Sequence, residues 1–454
     1  MREPAAKPVL AHQSPAAPAF AQQREMHEKI HSVMAQQRRQ KTNSILIAAL
    51  CAFSFVVLAF FYLRDESAPV DADLQPEPPV PNVQVPRAPD RLRLTLETAS
   101  PLTSPVQQTT PAWEWETPLL QRTVESNATS ADHWRAFLTD SDWQPRHPAW
   151  AGTDYGSHAG WDALAVGRSA VVAYYARRGE ERVAFEAALE MATTGRRLQT
   201  LHTWPTIFPR SVELHERACD LLANLLTTTQ LDGYQLGQYQ VTFEHTAPAD
   251  TVLRDALNRF YHYERRLITG PRIGDPWDVA TPDIPRLSHG ALFFKPNATL
   301  QLFAACFRSM KNEVIKVPYA RSNTLASIIG PSGIPDGSIG SPNISGVRYA
   351  NQRLWSYSAL VDRQGLQSAR HVVVLTLFAV RRFSADTGRL PRTLSELVPK
   401  YFTDLPKDPY NGEPLNYDPS RGLIWSVGMD FKNSGGHLTT LPLSDLYEPT
   451  VSVK

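Results

Sequence analysis

Apolar and polar positions divide the chain into stretches of different period. The first 43 residues are rich in Ala, Gln and Pro and hold few large apolar side chains, so they bury too little surface to offset the entropy of ordering. This predicts a mobile tail, with a short helix over 22–40. From Ser44 to Leu63 the pattern changes to an uninterrupted apolar run, SILIAALCAFSFVVLAFFYL, without one charge in 20 residues. At about 1.5 Å per residue it reaches across a hydrocarbon core of roughly 30 Å, which predicts a transmembrane helix. The flanks, Arg38, Arg39 and Lys41 before and Arg64, Asp65 and Glu66 after, argue against a buried soluble helix. A cleaved signal peptide would carry a shorter apolar core nearer the N-terminus.

Residues 64–118 contain eleven prolines, including the run PEPPVP at 76–81. Proline at that density predicts an extended, polyproline-like spacer that carries the folded part away from the lipid. Beyond Pro118 the apolar period becomes helical. Val212, His215, Cys219, Leu222 and Leu226 recur at spacings of 3, 4, 3 and 4, one face of a helix. Similar stripes run through 162–178, 180–201, 248–268 and 298–312. A Gly-, Pro- and Ser-rich stretch at 328–346 predicts a mobile loop before a long helix over 349–387, with a break near Gly365. Within that helix HVVVLTLFAV, flanked by Arg370, Arg381 and Arg382, is only ten residues long, too short to span, and predicts a buried soluble helix.

The expected fold class is therefore mainly α. The predicted parts are a tail (1–43), a transmembrane helix (44–63), a Pro-rich spacer (64–118), a helical domain (119–346), and a long helix followed by a C-terminal unit (347–454).

Charge adds orientation. The chain holds 46 Lys and Arg against 45 Asp and Glu, a net of +1. That balance lacks the concentrated basic face that nucleic acid requires, so no nucleic-acid partner is expected. Its distribution is uneven: residues 1–63 carry seven bases and three acids, the remainder 39 bases and 42 acids. The positive-inside rule places the tail in the cytoplasm and the large region outside, which in a bacterium means an inner-membrane anchor and a periplasmic body. Three cysteines, Cys51, Cys219 and Cys306, exclude a disulfide framework and a cysteine-based zinc site. Cys219 and Cys306 would meet an oxidising compartment and pairing stays open there, but their helical apolar surroundings favour two buried thiols.

Common catalytic signatures are missing: no HExxH, GxSxG, GxGxxG after a strand, or GxxxxGK[ST] occurs, so zinc-protease, serine-hydrolase, dinucleotide and P-loop chemistry lack their anchors. His215 with Glu216, and His262 with Glu264, could meet a distant carboxylate or metal, although a lone histidine on an apolar face reads more simply as hydrogen-bonded core. Trp134, Trp143, Trp150 and Trp161 could line a groove; packing explains them more simply.

The stretch from Ala379 to Gly436 differs in kind. Thr387-Gly388 stops a helix, Pro391 fixes the exit, and Thr393 with Glu396 forms a capping box for a short helix. Asp408-Pro409 and Asn411-Gly412 are turn pairs, after which 414–417 and 423–427 predict a short antiparallel hairpin across 418–422. In order and spacing, SADTGRLP, TLSELVP, DPYNGEPLNY and SVGMDFKNSGG resemble the C-terminal half of the major pseudopilins of type II secretion. The chain resembles more closely still a group of single-span bacterial envelope proteins in which a PNxTLxLxAxxxR segment precedes the same ending. Here that segment is Pro296, Asn297, Thr299, Leu300, Leu302, Ala304 and Arg308.

The resemblance implies a small α+β pseudopilin-like unit whose final loop binds calcium through Asp430 and Asn433, with main-chain carbonyls between Leu405 and Ser426 completing an oxygen shell. Asn433 stands where the family has aspartate, one charge fewer. Before the hydrophobic helix, Gln40-Lys41-Thr42-Asn43 lacks the pilin peptidase site, so pilin-like processing and polymerisation are not expected. These features imply a non-enzymatic envelope scaffold that meets a secretion or surface-assembly partner. An envelope hydrolase whose acids and histidines are distant in sequence is the alternative.

Overall fold

The structure, a computed structural model, describes residues 17–80, 86–140, 143–147, 149–152, 155, 158–201, 205, 207–270, 277, 293–317, 342–437 and 448–453. It divides into two units, one up to Arg64 and one from Asp65 onward. In the first, α1 (Ala17–Leu63) is a single helix of 47 residues. Among the described residues it is the one helix long and apolar enough to cross a membrane, and none of its apolar stretch is buried by protein. Residues 17–43, expected as a tail with a short helix, continue that helix. Ala and Gln have high helical propensity, the apolar stretch supplies the nucleus, and a Glu25–Lys29 pair at 3.4 Å bridges one turn. Residues 1–16 lie outside the described residues.

The expected extended spacer does not hold for the described residues of 64–118. They fold into a 3₁₀ turn at Ala72–Leu74 and helices α2 (Ala88–Thr98) and α3 (Pro105–Thr109). Pro89, Pro105 and Pro118 stand in the first turns of helices, where a missing N–H costs nothing. Between the prolines, Leu74, Leu92, Leu96 and Trp115 are buried against the body. Proline density reported the helix starts; the interspersed large side chains decided that the segment packs.

The body continues through α4 (Thr117–Ser126), α5 (Ala128–Leu138), the single turn α6 (Ala149–Gly152), α7 (His158–Arg177), α8 (Glu181–Gln199), α9 (Ile207–Thr228), α10 (Gly233–Glu244) and α11 (Asp250–Thr269). It ends with α12 (Pro296–Ile315) and α13 (Ile344–Thr387). The apolar stripes match α7, α8, α9, α11 and α12 to within a few residues; α10 carries no comparable stripe and was not anticipated. Gly195 lets α8 lie directly on α9, since a Cβ there would stand 2.7 Å from the Ser211 carbonyl.

Two large cores divide the body. One gathers Phe185, Met191, Leu222, Phe243 and Phe378; the other gathers Leu74, Phe260, Tyr261, Phe303, Phe307, Leu354 and Tyr357. The 44-residue α13 contributes to both, Ala350 to Val361 in the second and Val373 to Phe383 in the first. The expected break near Gly365 is not there. The glycine answers a close approach instead, because a Cβ would meet the Tyr410 hydroxyl at 3.1 Å. Val373 to Val380 is buried, as expected of a soluble helix. Of the predicted 328–346 loop, residues 328–341 lie outside the described residues.

Gly388 ends α13 in the left-handed conformation at φ 74°. The capping box at Thr393 forms differently from expectation: the Thr393 side chain makes no cap bond, and Glu396 accepts from the Arg392 N–H at 2.6 Å and pairs with Arg389. The hairpin forms with β1 (Asn416–Asp418) antiparallel to β2 (Leu423–Trp425), Tyr417 facing Ile424. An unanticipated β3 (Thr450–Ser452) completes the sheet on the other edge of β2. Ile424, Val451 and Leu397 enter the first core, so the C-terminal unit and the helices share one interior.

Candidate functional site

The apolar face of α9 packs inward, and its polar face, Glu213, Glu216, Arg217, Asp220 and Asn224, lines a cleft of about 1110 Å³. Arg363 and Arg370 reach it from α13, Asp162 and Ser169 from α7, and residues 96–115 form the opposite wall with Leu102, Pro111 and Trp113. That wall is held by Arg177, which donates to the Trp113 carbonyl at 2.7 Å and to the Trp115 carbonyl.

Most charges in the cleft neutralise one another. Arg363 meets Glu216 at 2.7 Å and Glu213 at 3.4 Å, and Arg210 meets Glu213 at 2.7 Å and Asp162 at 3.2 Å. Arg370, 8% exposed, approaches Glu216 only to 3.8 Å, and its Nε has no hydrogen-bond partner. Asp220 is partly exposed, but its Oδ1 is sealed from solvent and also lacks a partner. Burial, opposed by Arg370 and reinforced by Glu216, pushes the Asp220 carboxyl up to about 7. One turn of α9 therefore presents an ion-paired carboxylate and, four residues on, a carboxyl poised between its two forms, a combination able to move a proton.

The sequence singled out the apolar stripe of α9 and passed over this polar one, although Glu213, Glu216, Asp220 and Asn224 share its period. Arg363 and Arg370, seven residues apart on α13, carried no signal without their partners.

His215 and Glu216 do not share a site. His215 lies in the core beside the stacked rings of Phe243 and His371, with ring centroids at 6.2 and 5.8 Å, and its Nε2 is 3.3 Å from the Thr246 hydroxyl. Burial pushes it down to about 3, whereas neighbouring Glu216 faces the cleft. Glu264, fully buried, accepts from the Tyr349 and Tyr357 hydroxyls and pairs with Arg353 at 2.6 Å. His262 is buried nearby in sequence, and among the described residues no group of three or more His, Cys, Asp or Glu is arranged to hold a metal. Trp134, Trp150 and Trp161 are core residues, and Trp143 stacks on Trp150 at 5.9 Å. Cys219 and Cys306 are free thiols in different cores. Burial pushes the Cys306 thiol up to about 11 and raises Cys219 well above the ordinary range.

In the final loop, Asp430 Oδ1 accepts from the Lys432 N–H at 3.0 Å. Asn433 Oδ1 accepts from Trp425 Nε1 at 3.0 Å and from the Gly435 N–H at 3.1 Å. The carbonyls of Gly435 and Gly436 accept from the Arg421 guanidinium. Buried Glu448 accepts from the Ser434 and Gly436 N–H groups at 2.6 and 2.8 Å. Asp430 Oδ1 and Asn433 Oδ1 thus already accept N–H groups, which a calcium ion would have to share or displace. Behind the loop Asp408, fully buried, accepts from the Tyr410 and Val427 N–H groups at 3.0 and 2.8 Å and the Ser426 hydroxyl at 2.8 Å, which gives the DP turn its structural task.

The segment Pro296 to Arg308 grips the chain that follows α1. Asp65 accepts from the Asn297 and Ala298 N–H groups at 2.9 and 3.3 Å, Asn297 Nδ2 donates to the Glu66 carbonyl at 2.9 Å, and Arg308 binds Asp73. No family model, no curated protein and no solved structure matches the chain.

Proposed function

We propose that this protein is a membrane-anchored, non-enzymatic scaffold. In this reading α1 crosses the bacterial inner membrane once with its N-terminus in the cytoplasm, and the body presents the pseudopilin-like unit to an envelope or secretion-system partner. The observation that carries it is the joining of an exposed, membrane-length apolar helix to a chain whose C-terminal unit shares the core of the helical body. A unit fixed in that way is a rigid surface, suited to docking. The charge asymmetry about the helix supports the orientation, and the resemblance of the ending supports the class of partner. Protease added to intact spheroplasts should degrade the body and spare an N-terminal tag. Affinity purification from solubilised membranes should recover an envelope or secretion component. Loss of the tag instead overturns the orientation, recovery of the body alone overturns the scaffold, and a chain shortened past Leu63 identifies α1 as a cleaved signal.

A second reading, an envelope hydrolase, is favoured by the cleft, where Asp220 and Glu216 differ in environment in the way an acid and a base must. It expects turnover that Asp220→Asn abolishes while leaving partner recovery unchanged.

A further inference from the structure

We propose that the cleft between α9 and the 96–115 wall is a binding site for an uncharged, hydroxyl-rich ligand, the sugar units of a glycan. Two features of the floor point there. The first is that its ions are already matched: Arg363 holds Glu216, and Arg210 holds Glu213 and Asp162. An ionic ligand would have to break these pairs before making its own. The second is that two lining residues each keep one sealed polar atom without a partner, Asp220 Oδ1 and Arg370 Nε, the latter residue being more than nine-tenths buried, so a small turn of either side chain toward the cleft offers a ligand an unmatched group. They are close enough for Arg370 to act on the Asp220 carboxyl electrostatically.

Arg370 needs an acceptor, whereas ionised Asp220 needs a donor. An ammonium supplies no acceptor, and a carboxylate or a phosphate diester supplies no donor. A hydroxyl supplies both, and neighbouring hydroxyls on a sugar ring reach two adjacent protein groups from one side. A trans peptide unit also has both, but its N–H and C=O point in opposite directions. The facing wall suits the other side of a sugar, since Leu102, Pro111 and partly buried Trp113 offer an apolar surface to its C–H groups. Titrating Asp220 near neutrality extends the match, because the carboxyl can donate in one form and accept in the other.

The test uses the full chain in a detergent without a sugar headgroup. Cellotetraose, chitotetraose and maltotetraose are titrated by calorimetry and by tryptophan fluorescence, with tetraalanine and tetralysine as competing classes. At least one tetrasaccharide should bind at about 10 mM or below, and Asp220→Ala and Arg370→Gln should each weaken it about tenfold. Trp113→Ala should weaken binding and remove the fluorescence change. Asn224→Ala, at an outlying position of the same cleft, should weaken binding even if a floor variant fails to fold. The proposal is overturned if no tetrasaccharide binds, if binding is indifferent to these four substitutions, or if a peptide binds through Asp220 while the sugars do not.

Discussion

Arg308 and Asp73 meet in a bidentate ion pair, Nε to Oδ2 at 2.8 Å and Nη2 to Oδ1 at 2.7 Å. With Asp65 on the first amides of α12, it fastens the chain that follows α1 to a helix more than 220 residues later. The helix has no side-chain cap of its own at Lys295, so Asp65 supplies from a distance what a local Ser or Asp would supply.

Removing this fastening should loosen residues 65–80 without unfolding the body. The pair is half exposed, so Arg308→Ala and Asp73→Ala should each cost only about 1 kcal/mol, and the double variant little more than either single one. Asp65→Ala should cost a similar amount through the lost cap. Denaturant melts and limited proteolysis read both effects; equal cleavage of 65–80 in parent and variants would refute the fastening.

Asp220 should make stability fall as pH rises. Its carboxyl ionises near 3.8 when unfolded but only at about 7 in the fold, so between those values the folded state holds the extra proton and loses stability with rising pH. Glu216 adds to the effect, and Arg370 and Arg217 oppose it. Asp220→Asn should remove that slope and raise stability at pH 8 by about 1–3 kcal/mol. Urea melts of parent and variant at pH 5 and 8 measure the difference.

His371 should act with the opposite sign. Both its ring nitrogens lack partners, and burial, with His215 and Arg196, holds it well below the ordinary histidine range. The unfolded chain takes up a proton below about 6.5 that the fold refuses, so its contribution is intact above that pH and is lost as pH falls. His371→Leu should flatten the acid limb and raise stability at neutral pH by about 1–2 kcal/mol, by removing unsatisfied buried nitrogens. A less stable His371→Leu would mean that the imidazole is bound to something, an internal water foremost.

The final loop should be indifferent to calcium. Arg421→Ala and Glu448→Gln should each lower stability by about 1–3 kcal/mol and expose 433–437 to protease, whereas a chelator should leave both readouts of the parent unchanged. A rise of melting temperature with added calcium in the parent would show that the loop opens to admit the ion and that Asp430 and Asn433 turn toward it.

What could be read in the sequence is what neighbouring residues decide among themselves. The apolar run of Ser44 to Leu63, the stripe of Val212 to Leu226, the stop at Gly388 and the turn at Asp418 to Gly422 depend on backbone preferences and periods that act over a few residues. The burial of His215 and of the tryptophans followed from the same patterns. The folding of the Pro-rich segment, the unbroken helix at Gly365, the third strand at Thr450 to Ser452 and the cleft were decided by tertiary structure, because each depends on a partner remote in the chain. Leu74 is buried only because α11 and α12 stand beside it. Gly365 is explained only by Tyr410, and Glu448 by the amides of Ser434 and Gly436. Asp220 illustrates the physical reason most directly: its type and helical position are written in the sequence, but the desolvation that lifts its carboxyl to about 7, and the Arg370 that opposes it, exist only once α9 and α13 have packed.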